Sequence, residues 1–402
     1  MKARAISENI NCIHADLPGD YLFEGIWPIP KGVSLNSYHV KGEKTAIIDP
    51  FTDWNEVSAL GFSEPDYIIL NHLEPDHTLW LRGLESLGNP NIEIISTQKG
   101  IDLVKSFYRK NENESAVKIR AVKDGDTLDL GKGVVLHFYE TPNVHWPETM
   151  MTFEPASGTL FSCDAFGSYG ALGDKTFDDE ISLAEHEFYE AESLRYYANI
   201  VASFSTFVRK TIEKAAALDI HCVAPGHGLV WRKNPSTIID RYAKYAAYSQ
   251  NKTEAEITII WGSMYGNTKA GLDAVIRGIK EEGVPYTIHR VPDENISWVL
   301  ADAFKNSGLV LAMPTYEYAM FPPMAYVLDV FRRKHIFDKK VLRIGSFGWV
   351  GGAKKEYEAA IANLRWTSLD SVEWAGIPGK DEIALLEERG RELARMVKAG
   401  EA

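Results

Sequence analysis

The pattern of hydrophobic and polar positions differs between the first and the second part of the chain, and this difference predicts two domains. In the first part, short apolar runs come in groups, with amphipathic stretches between and after them. The predicted strands are residues 38–40, 45–49, 67–70, 92–96, 117–130 with a turn at 124–125, 134–140, 158–163 and 220–224. The predicted helices lie near residues 55–60, 79–87, 99–108, 183–218 and 237–249. This pattern is typical of a sandwich of sheets flanked by helices.

The hydrophobic pattern changes after a polar, turn-like segment at residues 249–256. Beyond it, single strands alternate with single helices. The predicted strands are residues 257–261, 286–291, 309–313, 341–346 and 371–374, and the helices lie near 268–282, 298–305, 322–333, 355–364 and 381–398. Five strands with interleaved helices predict a doubly wound parallel sheet of flavodoxin type. We therefore expect one domain over residues 1–250 and a second over residues 256–402.

Charge and composition narrow the possible partners. The formal net charge of −13 argues against nucleic acid and anionic membrane surfaces as partners. The three cysteines, Cys12, Cys163 and Cys222, are far apart and form no CxxC pair, so neither a disulfide framework nor a built-in rubredoxin is predicted. The N-terminus lacks the apolar core of a signal peptide, and no apolar run is long enough to span a bilayer. We expect a cytoplasmic protein.

A dense group of metal-ligand side chains follows the predicted strand at residues 67–70. His72, Glu74, Asp76 and His77 fall within six residues, on a loop at the carboxyl end of that strand. This is where α/β folds usually bind ligands. Imidazoles and carboxylates at this density suit transition metals. The alternative is an ordinary polar surface loop.

Three further candidate ligands, His145, Asp164 and His227, each follow a strand-like run. The full set of four histidines and three carboxylates suggests two metal ions, with Asp164 as the bridge. One ion would take His72, Glu74, His145 and Asp164, and the other would take Asp76, His77, His227 and Asp164. One bridging hydroxide would bring two divalent ions and three carboxylates to neutrality, which a buried site favours.

The ligand types favour iron over zinc. Zinc sites are usually four-coordinate and rich in histidine or cysteine. Glu74 stands where a dizinc hydrolase would be expected to use another histidine, and this hard oxygen ligand shifts the preference toward iron. Zinc also accepts carboxylates, so it stays an alternative. Cys163 precedes Asp164 in a strand, where neighbours point to opposite faces, so we expect it to be a core thiol.

Three loops in the second half predict a site for flavin mononucleotide (FMN). Hydroxyls, glycines and helix N-terminal amides can hold a phosphate, and aromatic groups beside glycines can stack on a flat ring. The first loop lacks the lysine of a P-loop and the GxGxxG of a dinucleotide fold, so a mononucleotide fits better. The candidate residues are Ser263, Met264, Tyr265, Gly266, Asn267 and Thr268 in the first loop, Pro314, Thr315, Tyr316, Glu317 and Tyr318 in the second, and Phe347, Gly348, Trp349, Gly351 and Gly352 in the third.

With these residues in place, the chain resembles the flavodiiron proteins, or A-type flavoproteins, along essentially its whole length. His72, Glu74, Asp76 and His77 match the family's HxExDH motif, and the three later ligands stand in the family's order. The resemblance implies a metallo-β-lactamase-like αβ/βα sandwich with a diiron centre, joined to a flavodoxin-like FMN domain. HxxxDH alone would indicate only the broader metallo-hydrolase fold.

The resemblance also implies an activity and partners. The family reduces dioxygen to water, nitric oxide to nitrous oxide, or both, as a head-to-tail homodimer or a dimer of dimers. Electrons are expected from a separate donor, rubredoxin-like or a deazaflavin coenzyme. No catalytic residue beyond the metal ligands is predicted. Reduction of dioxygen to two waters takes four electrons, and two ferrous ions with one reduced FMN hold four.

Two other functions are alternatives to the reductase hypothesis. One is a dizinc hydrolase of the metallo-β-lactamase type fused to a flavodoxin module, in which a metal-bound hydroxide attacks an ester, thioester or amide. Glu74 and the flavin loops argue against it, because hydrolysis has no use for a redox cofactor. The other is a pure electron carrier with the first half as a docking scaffold, which leaves seven placed ligands without a role.

Overall fold

The computed structural model describes residues 1–52, 54–78, 81, 92–107 and 118–400. The chain divides into two compact units, Met1–Lys244 and Tyr245–Ala402. The helix predicted near residues 79–87 lies outside the described residues except for Leu81.

The described residues form these α-helices: α1 Trp54–Ser58, α2 Pro75–Thr78, α3 Gln98–Phe107, α4 Leu183–Tyr196, α5 Ser205–Ala215, α6 Pro235–Tyr248, α7 Asn267–Glu281, α8 Ile296–Lys305, α9 Pro322–Arg333, α10 Ala353–Ile361 and α11 Lys380–Ala399. A π-helical turn at Tyr197–Val201 and a 3₁₀ turn at Ala202–Phe204 join α4 to α5.

The strands are β1 Lys2–Ala5, β2 Ile10–Leu17, β3 Leu22–Phe23, β4 Trp27–Pro28, β5 Val33–Lys41, β6 Thr45–Ile48, β7 Tyr67–Ile69, β8 Glu93–Thr97, β9 Lys118–Val122, β10 Thr127–Gly131, β11 Val134–Glu140, β12 Met150–Glu154, β13 Thr159–Cys163, β14 Cys222–Pro225, β15 Glu254–Trp261, β16 Tyr286–Arg290, β17 Asn306–Ala312, β18 Thr315–Tyr316, β19 Ala319–Met320, β20 Lys340–Phe347, β21 Thr367–Ser368 and β22 Val372–Ala375.

Two sheets pack face to face in the first unit. One has the order β1-β2-β5-β6-β7-β8-β9, and the other has the order β10-β11-β12-β13-β14. Side chains of both sheets share one buried cluster, in which the Tyr38 ring lies 5.1 Å from the Phe161 ring. A second cluster packs Val57 of α1 and Val104 of α3 against the outer face of the first sheet. This is the predicted sandwich, and β6 to β9 are parallel strands whose carboxyl ends share one edge.

The second unit is a parallel sheet with helices on its faces, as predicted. Its strand order is β16-β15-β17-β20-β21, and β22 also pairs with β20. All these pairs are parallel. Buried residues of α7 and α11, including Leu272, Val275 and Leu393, pack on β15, β17 and β20.

Sequence reasoning missed several strands and merged two helices. It placed nothing before residue 37, where β1 to β4 and the start of β5 lie, and it missed β12, the β18–β19 hairpin and β21. β12 is buried at every position, so it shows no alternation of polar and apolar residues. The predicted helical region 183–218 is broken by the π and 3₁₀ turns and ends at Ala215. Among the described residues, no helix has the length and hydropathy of a membrane span.

Candidate metal centre

The loop after β7 is fixed by buried hydrogen bonds before it reaches its first ligand. Asn71 donates its backbone N–H and its side-chain amide to the Asp49 carboxylate, at 2.7 and 2.9 Å. The Asn71 side-chain oxygen accepts from the Thr152 hydroxyl at 2.7 Å. His72 follows directly, and the short helix α2, which begins with Pro75, carries Asp76 and His77. Local sequence thus fixes the spacing of these ligand side chains.

The other three predicted ligands come from turns of the five-stranded sheet. His145 lies between β11 and β12, Asp164 directly follows β13, and His227 follows β14. A Cβ at Gly226 would lie 2.6 Å from Cε1 of His77, so a glycine is required where β14 brings His227 close to α2. The structure therefore brings all seven predicted side chains together.

The first group comprises His72, Glu74, His145 and one oxygen of Asp164. Nε2 of His72 lies 3.4 Å from Glu74 Oε2 and 3.2 Å from Asp164 Oδ2. Nε2 of His145 lies 3.1 Å from each of the same two oxygens. Two imidazole nitrogens and two carboxylate oxygens thus face one common point, and all four ligand atoms lie within 4.8 Å of one another.

The second group comprises Asp76, His77, His227 and the other oxygen of Asp164. Nε2 of His77 lies 2.9 Å from Asp164 Oδ1. Nε2 of His227 lies 3.3 Å from the same oxygen and 3.4 Å from Asp76 Oδ2. Asp164 therefore turns Oδ1 to one group and Oδ2 to the other, which is the geometry of a carboxylate shared between two ions.

The electrostatics of the cluster favour cations at these points. Burial opposes protonation of His145, but hydrogen bonds to the Asp164 and Glu74 carboxylates outweigh it and raise the pKa of the imidazole to about 9. Burial likewise opposes protonation of His227, and the neighbouring carboxylates of Asp164 and Asp76 raise its pKa to about 10. Burial favours a neutral Asp164, but the imidazoles of His77 and His72 hold the pKa of that carboxyl well below its usual range. A protein that keeps these carboxylates ionised must place either protons or metal ions beside them.

Two hydrogen-bond acceptors, one on a side chain and one on the backbone, fix the His72 and His227 rings through their Nδ1 atoms. Nδ1–H of His72 donates to Glu148 Oε1 at 2.8 Å, and Nδ1–H of His227 donates to the Ser34 carbonyl at 2.8 Å. Both rings therefore present Nε2 to the cluster. Sequence reasoning missed Glu148. The available signal was a carboxylate three residues after the candidate ligand His145.

Cys163 lies closer to the cluster than predicted. It is a buried free thiol, but its sulfur, a His77 nitrogen and an Asp164 oxygen lie within 4.8 Å of one another. The prediction that Cys163 and Asp164 point to opposite faces assumed an extended strand, whereas Cys163 has φ +49° and ends the alternation. Burial raises the pKa of the thiol well above its usual value, so it is protonated beside the cluster.

Aromatic side chains cover the second group. The Phe23 ring, from the β3–β4 hairpin, lies 5.3 Å from the His227 ring in an edge-to-face contact. Tyr196 packs against the same imidazole at 5.8 Å and against Tyr169 at 5.1 Å. Sequence reasoning named none of these residues, and the short hairpin that carries Phe23 gives no pattern long enough to predict.

The three predicted flavin loops line one cavity of about 360 Å³ in the second unit. Its lining residues are Ser263, Met264, Tyr265, Asn267 and residues 314–318 and 346–350. Tyr265 and Trp349 are 90% and 82% exposed, so large aromatic faces remain open at its rim. The Tyr318 and Trp349 rings meet edge to face at 6.4 Å. The cavity is thus wide, aromatic and at the carboxyl ends of β15, β17 and β20.

Four of the predicted flavin-loop residues, Gly266, Thr268, Gly351 and Gly352, do not line the cavity. Gly266 has φ +92° and its N–H donates to the Ser263 hydroxyl at 2.9 Å, which shapes the turn before α7. The Thr268 and Ser346 hydroxyls hydrogen-bond at 2.8 Å. A Cβ at Gly352 would lie 2.1 Å from the Tyr318 carbonyl, so Gly352 allows the second and third loops to touch.

Comparison with known proteins agrees with this architecture. The model of the ODP family beta lactamases matches residues 33–228. The anaerobic nitric oxide reductase flavorubredoxin of Vibrio vulnificus is 31% identical over 382 residues, which cover 92% of this chain and 75% of that protein.

Solved structures show the same fold. A flavo di-iron protein mutant from Thermotoga maritima has a TM-score of 0.86 at 28% identity and covers 98% of this chain, with 99% of its own chain matched. The rubredoxin oxygen:oxidoreductase of Desulfovibrio gigas has a TM-score of 0.90 at 24% identity, with full coverage of both chains. These findings confirm the predicted fold class, and the chain belongs to the flavodiiron protein family of oxidoreductases.

Proposed function

We propose that the protein holds two iron ions and one FMN and reduces dioxygen to water, nitric oxide to nitrous oxide, or both. The observation that carries the proposal is the position of Asp164, whose two oxygens each face a separate group of imidazoles and carboxylates. The names of the relatives support the same substrates, since one is called a nitric oxide reductase and another a rubredoxin oxygen:oxidoreductase.

The residues of the centre fit two metal ions. His227 Nε2 and Asp76 Oδ1 are buried and have no hydrogen-bond partner among the described residues. Such buried polar atoms are costly unless something satisfies them, and a cation satisfies both. Mixed imidazole and carboxylate ligands of this kind suit iron.

The cavity of the second unit fits FMN. The turn before α7 offers the Ser263 hydroxyl and the free amides of the first helical turn to a phosphate. Tyr316, Tyr318 and Trp349 offer aromatic faces to a flat ring. When bound, two ferrous ions and one reduced FMN supply the four electrons that dioxygen needs.

The roles of the protein side chains follow from their contacts. Asp164 would hold one metal ion with each of its two oxygens, which would keep the two metal positions close together. Glu74 and Asp76 each give one group a further oxygen ligand. Phe23 and Tyr196 pack against His227 and exclude water from one side of the centre, which strengthens its electrostatic interactions.

Electrons are proposed to come from an external donor, rubredoxin-like or a deazaflavin coenzyme. The name of the Desulfovibrio gigas relative supports a rubredoxin. A head-to-tail homodimer, in which the FMN of one subunit serves the metal centre of its partner, is part of the proposal because the family resemblance implies it.

The decisive experiment combines stoichiometry with rapid kinetics. The full chain, prepared with iron and riboflavin supplied, is expected to contain about two irons and one FMN per chain. Stopped-flow mixing of the anaerobically reduced protein with dioxygen, and separately with nitric oxide, should show rapid oxidation of the flavin by at least one gas. Absence of both cofactors, or reduced protein inert to both gases, would end the proposal.

The same measurements separate the competing functions. A dizinc hydrolase would contain zinc in place of iron. A pure electron carrier would contain FMN without stoichiometric iron. The family relatives favour neither alternative.

A further inference from the structure

Glu148 is a buried carboxylate that the ligand set does not include. Its side chain is fully buried, and its Oε1 accepts two hydrogen bonds, from Nδ1–H of His72 at 2.8 Å and from the Leu73 backbone N–H at 3.1 Å. Its own carbonyl accepts from the Thr97 hydroxyl at 2.9 Å. The residue is therefore locked in place between the end of β8 and the loop that carries His72.

The hydrogen bond from the Leu73 backbone N–H does not require a charged acceptor at Glu148. A glutamine oxygen would accept the Leu73 amide equally well. Oε2 of Glu148 is buried and has no hydrogen-bond partner among the described residues, so the ionised carboxylate is costly where it stands. The charge of Glu148 strengthens its hydrogen bond with His72, because a hydrogen bond to an ionised acceptor is about twice as strong as a neutral one.

The corresponding contact in the second group is weaker. There Nδ1–H of His227 donates to a neutral backbone carbonyl, that of Ser34. A carboxylate behind a ligand imidazole makes Nε2 more basic and holds the ring in one tautomer and orientation, whereas a carbonyl does so less. The two halves of the centre therefore differ in the groups behind His72 and His227.

We propose that Glu148 is a positioning residue that makes the metal position of His72, Glu74 and His145 the tighter of the two, so that this position fills first. The inference rests on the proposed metal centre. It assigns no new ligand and no new reaction step. Its consequence is an order of metal loading that the ligand set alone does not predict.

The test is a titration of metal-free full-length protein with Co²⁺, followed by visible absorption and calorimetry. Wild type should bind two Co²⁺ in two distinguishable steps. Glu148→Gln should weaken the tighter step about 10- to 100-fold and leave the other step within about threefold. Glu148→Asp keeps the charge on a shorter side chain and should fall between the two.

Glu154→Gln is the matched control. Glu154 is also a buried glutamate, at the far end of β12, and it accepts hydrogen bonds from the Ala156 and Ser157 backbone amides rather than from a ligand. This variant should bind both Co²⁺ ions like wild type.

A spectroscopic measurement excludes a merely structural role. In the Co²⁺-loaded protein, paramagnetism shifts the ring N–H resonances of the ligand histidines well outside the ordinary proton range. Glu148→Gln should move one of these resonances, that of His72, and leave the His227 resonance in place. Loss of fold would instead disturb all of them.

The outcomes separate this inference from the proposed function. Wild-type affinity for both Co²⁺ ions in Glu148→Gln and Glu148→Asp, or equal weakening of both steps, would overturn the role of Glu148 while leaving the metal centre intact. Failure of the wild type to bind two Co²⁺ would overturn the centre itself. If Glu148→Gln does not fold, Glu148→Asp and the wild-type order of loading decide the question.

Discussion

At the scale of single residues, Asp164 and the side chains around it determine what the first unit can do. Four imidazole nitrogens surround one carboxylate, and each of its oxygens contacts two of them. Such a concentration of buried polar groups destabilises a fold unless the charges are matched. The centre therefore sits where parallel and antiparallel strands end, on turns that other hydrogen bonds have already fixed.

Asp164→Ala should abolish metal binding at both positions, because both groups lose a ligand oxygen at once. We expect the iron affinity to fall by more than about 100-fold and reductase activity to disappear. FMN should stay bound at wild-type stoichiometry, since the flavin loops belong to the second unit. Metal analysis and the flavin absorption spectrum of the purified variant check this. Retention of full iron content would reject the bridging role of Asp164.

His289 in the second unit predicts a pH-dependent stability. Its Nδ1 lies 2.9 Å from Glu294 and its Nε2 lies 2.9 Å from Asp302. Burial opposes protonation, but hydrogen bonds to Asp302 and Glu294 raise the pKa of the imidazole above its usual value of 6.5. A raised folded-state pKa stabilises the fold below the unfolded-state pKa, and this contribution is lost as pH rises through the folded-state pKa.

His289→Asn should therefore lower the free energy of unfolding most below about pH 6.5, by roughly 1 to 3 kcal/mol. The difference from wild type should shrink as the pH is raised to about 9. Urea unfolding of both proteins at the two pH values measures it. An equal difference at both values would show that the two carboxylates do not hold a protonated imidazole.

Sequence reasoning named the seven candidate ligands that the structure brings together, and it missed the groups behind them. Each candidate ligand follows a strand-like run, and strands that share a sheet bring their ends together, so Asp164 and His227, which follow the parallel strands β13 and β14, could be grouped. The contact between His72 and Glu148 joins residues 76 positions apart through the packing of one side chain behind another. The periodicity of hydrophobic positions in a sequence does not predict such a contact. The side to which Cys163 points depends on the sign of one φ angle, which a strand pattern cannot give.

At the scale of elements, long segments with a clear period were predictable and short or fully buried ones were not. The strand at Val134–Glu140 and the helix at Pro322–Arg333 have the predicted bounds. The two-residue strands β18 and β19 form a hairpin because Glu317 and Tyr318 both adopt positive φ, which neither residue type favours. Tertiary contacts of the loop therefore determine this turn, and composition does not reveal it.

The helix pair α7 and α11 gives a prediction at this scale. Gly390 of α11 lies so close to α7 that a Cβ there would be 2.3 Å from the Val275 carbonyl. A glycine-to-alanine change within a helix usually adds about 1 kcal/mol of stability. Gly390→Ala should instead destabilise the second unit by about 1 to 3 kcal/mol, because the methyl group forces the helices apart.

Chemical denaturation of Gly390→Ala, compared with Ala384→Gly, tests the close approach of these helices. Ala384 is exposed on α11, so its change to glycine reports helix propensity alone, with an expected loss of about 1 kcal/mol. A gain of stability in Gly390→Ala would mean that the two helices separate at little cost.

At the scale of the whole molecule, each unit contains both its own core and its own candidate site. The buried clusters of the sandwich draw on residues 10–230, and that of the parallel sheet draws on residues 257–397. The seven metal-ligand candidates lie between His72 and His227, and the cavity formed by the predicted flavin loops is lined by residues 263–350.

Two fragments, residues 1–251 and residues 245–402, each keep the end of α6 and should fold separately. The first should bind two irons and no flavin, and the second should bind FMN and no iron, while neither alone should reduce nitric oxide with electrons from a donor. Metal analysis, flavin fluorescence and circular dichroism of the fragments check this. A folded second fragment that cannot bind FMN would show that the three loops do not make a complete flavin site by themselves.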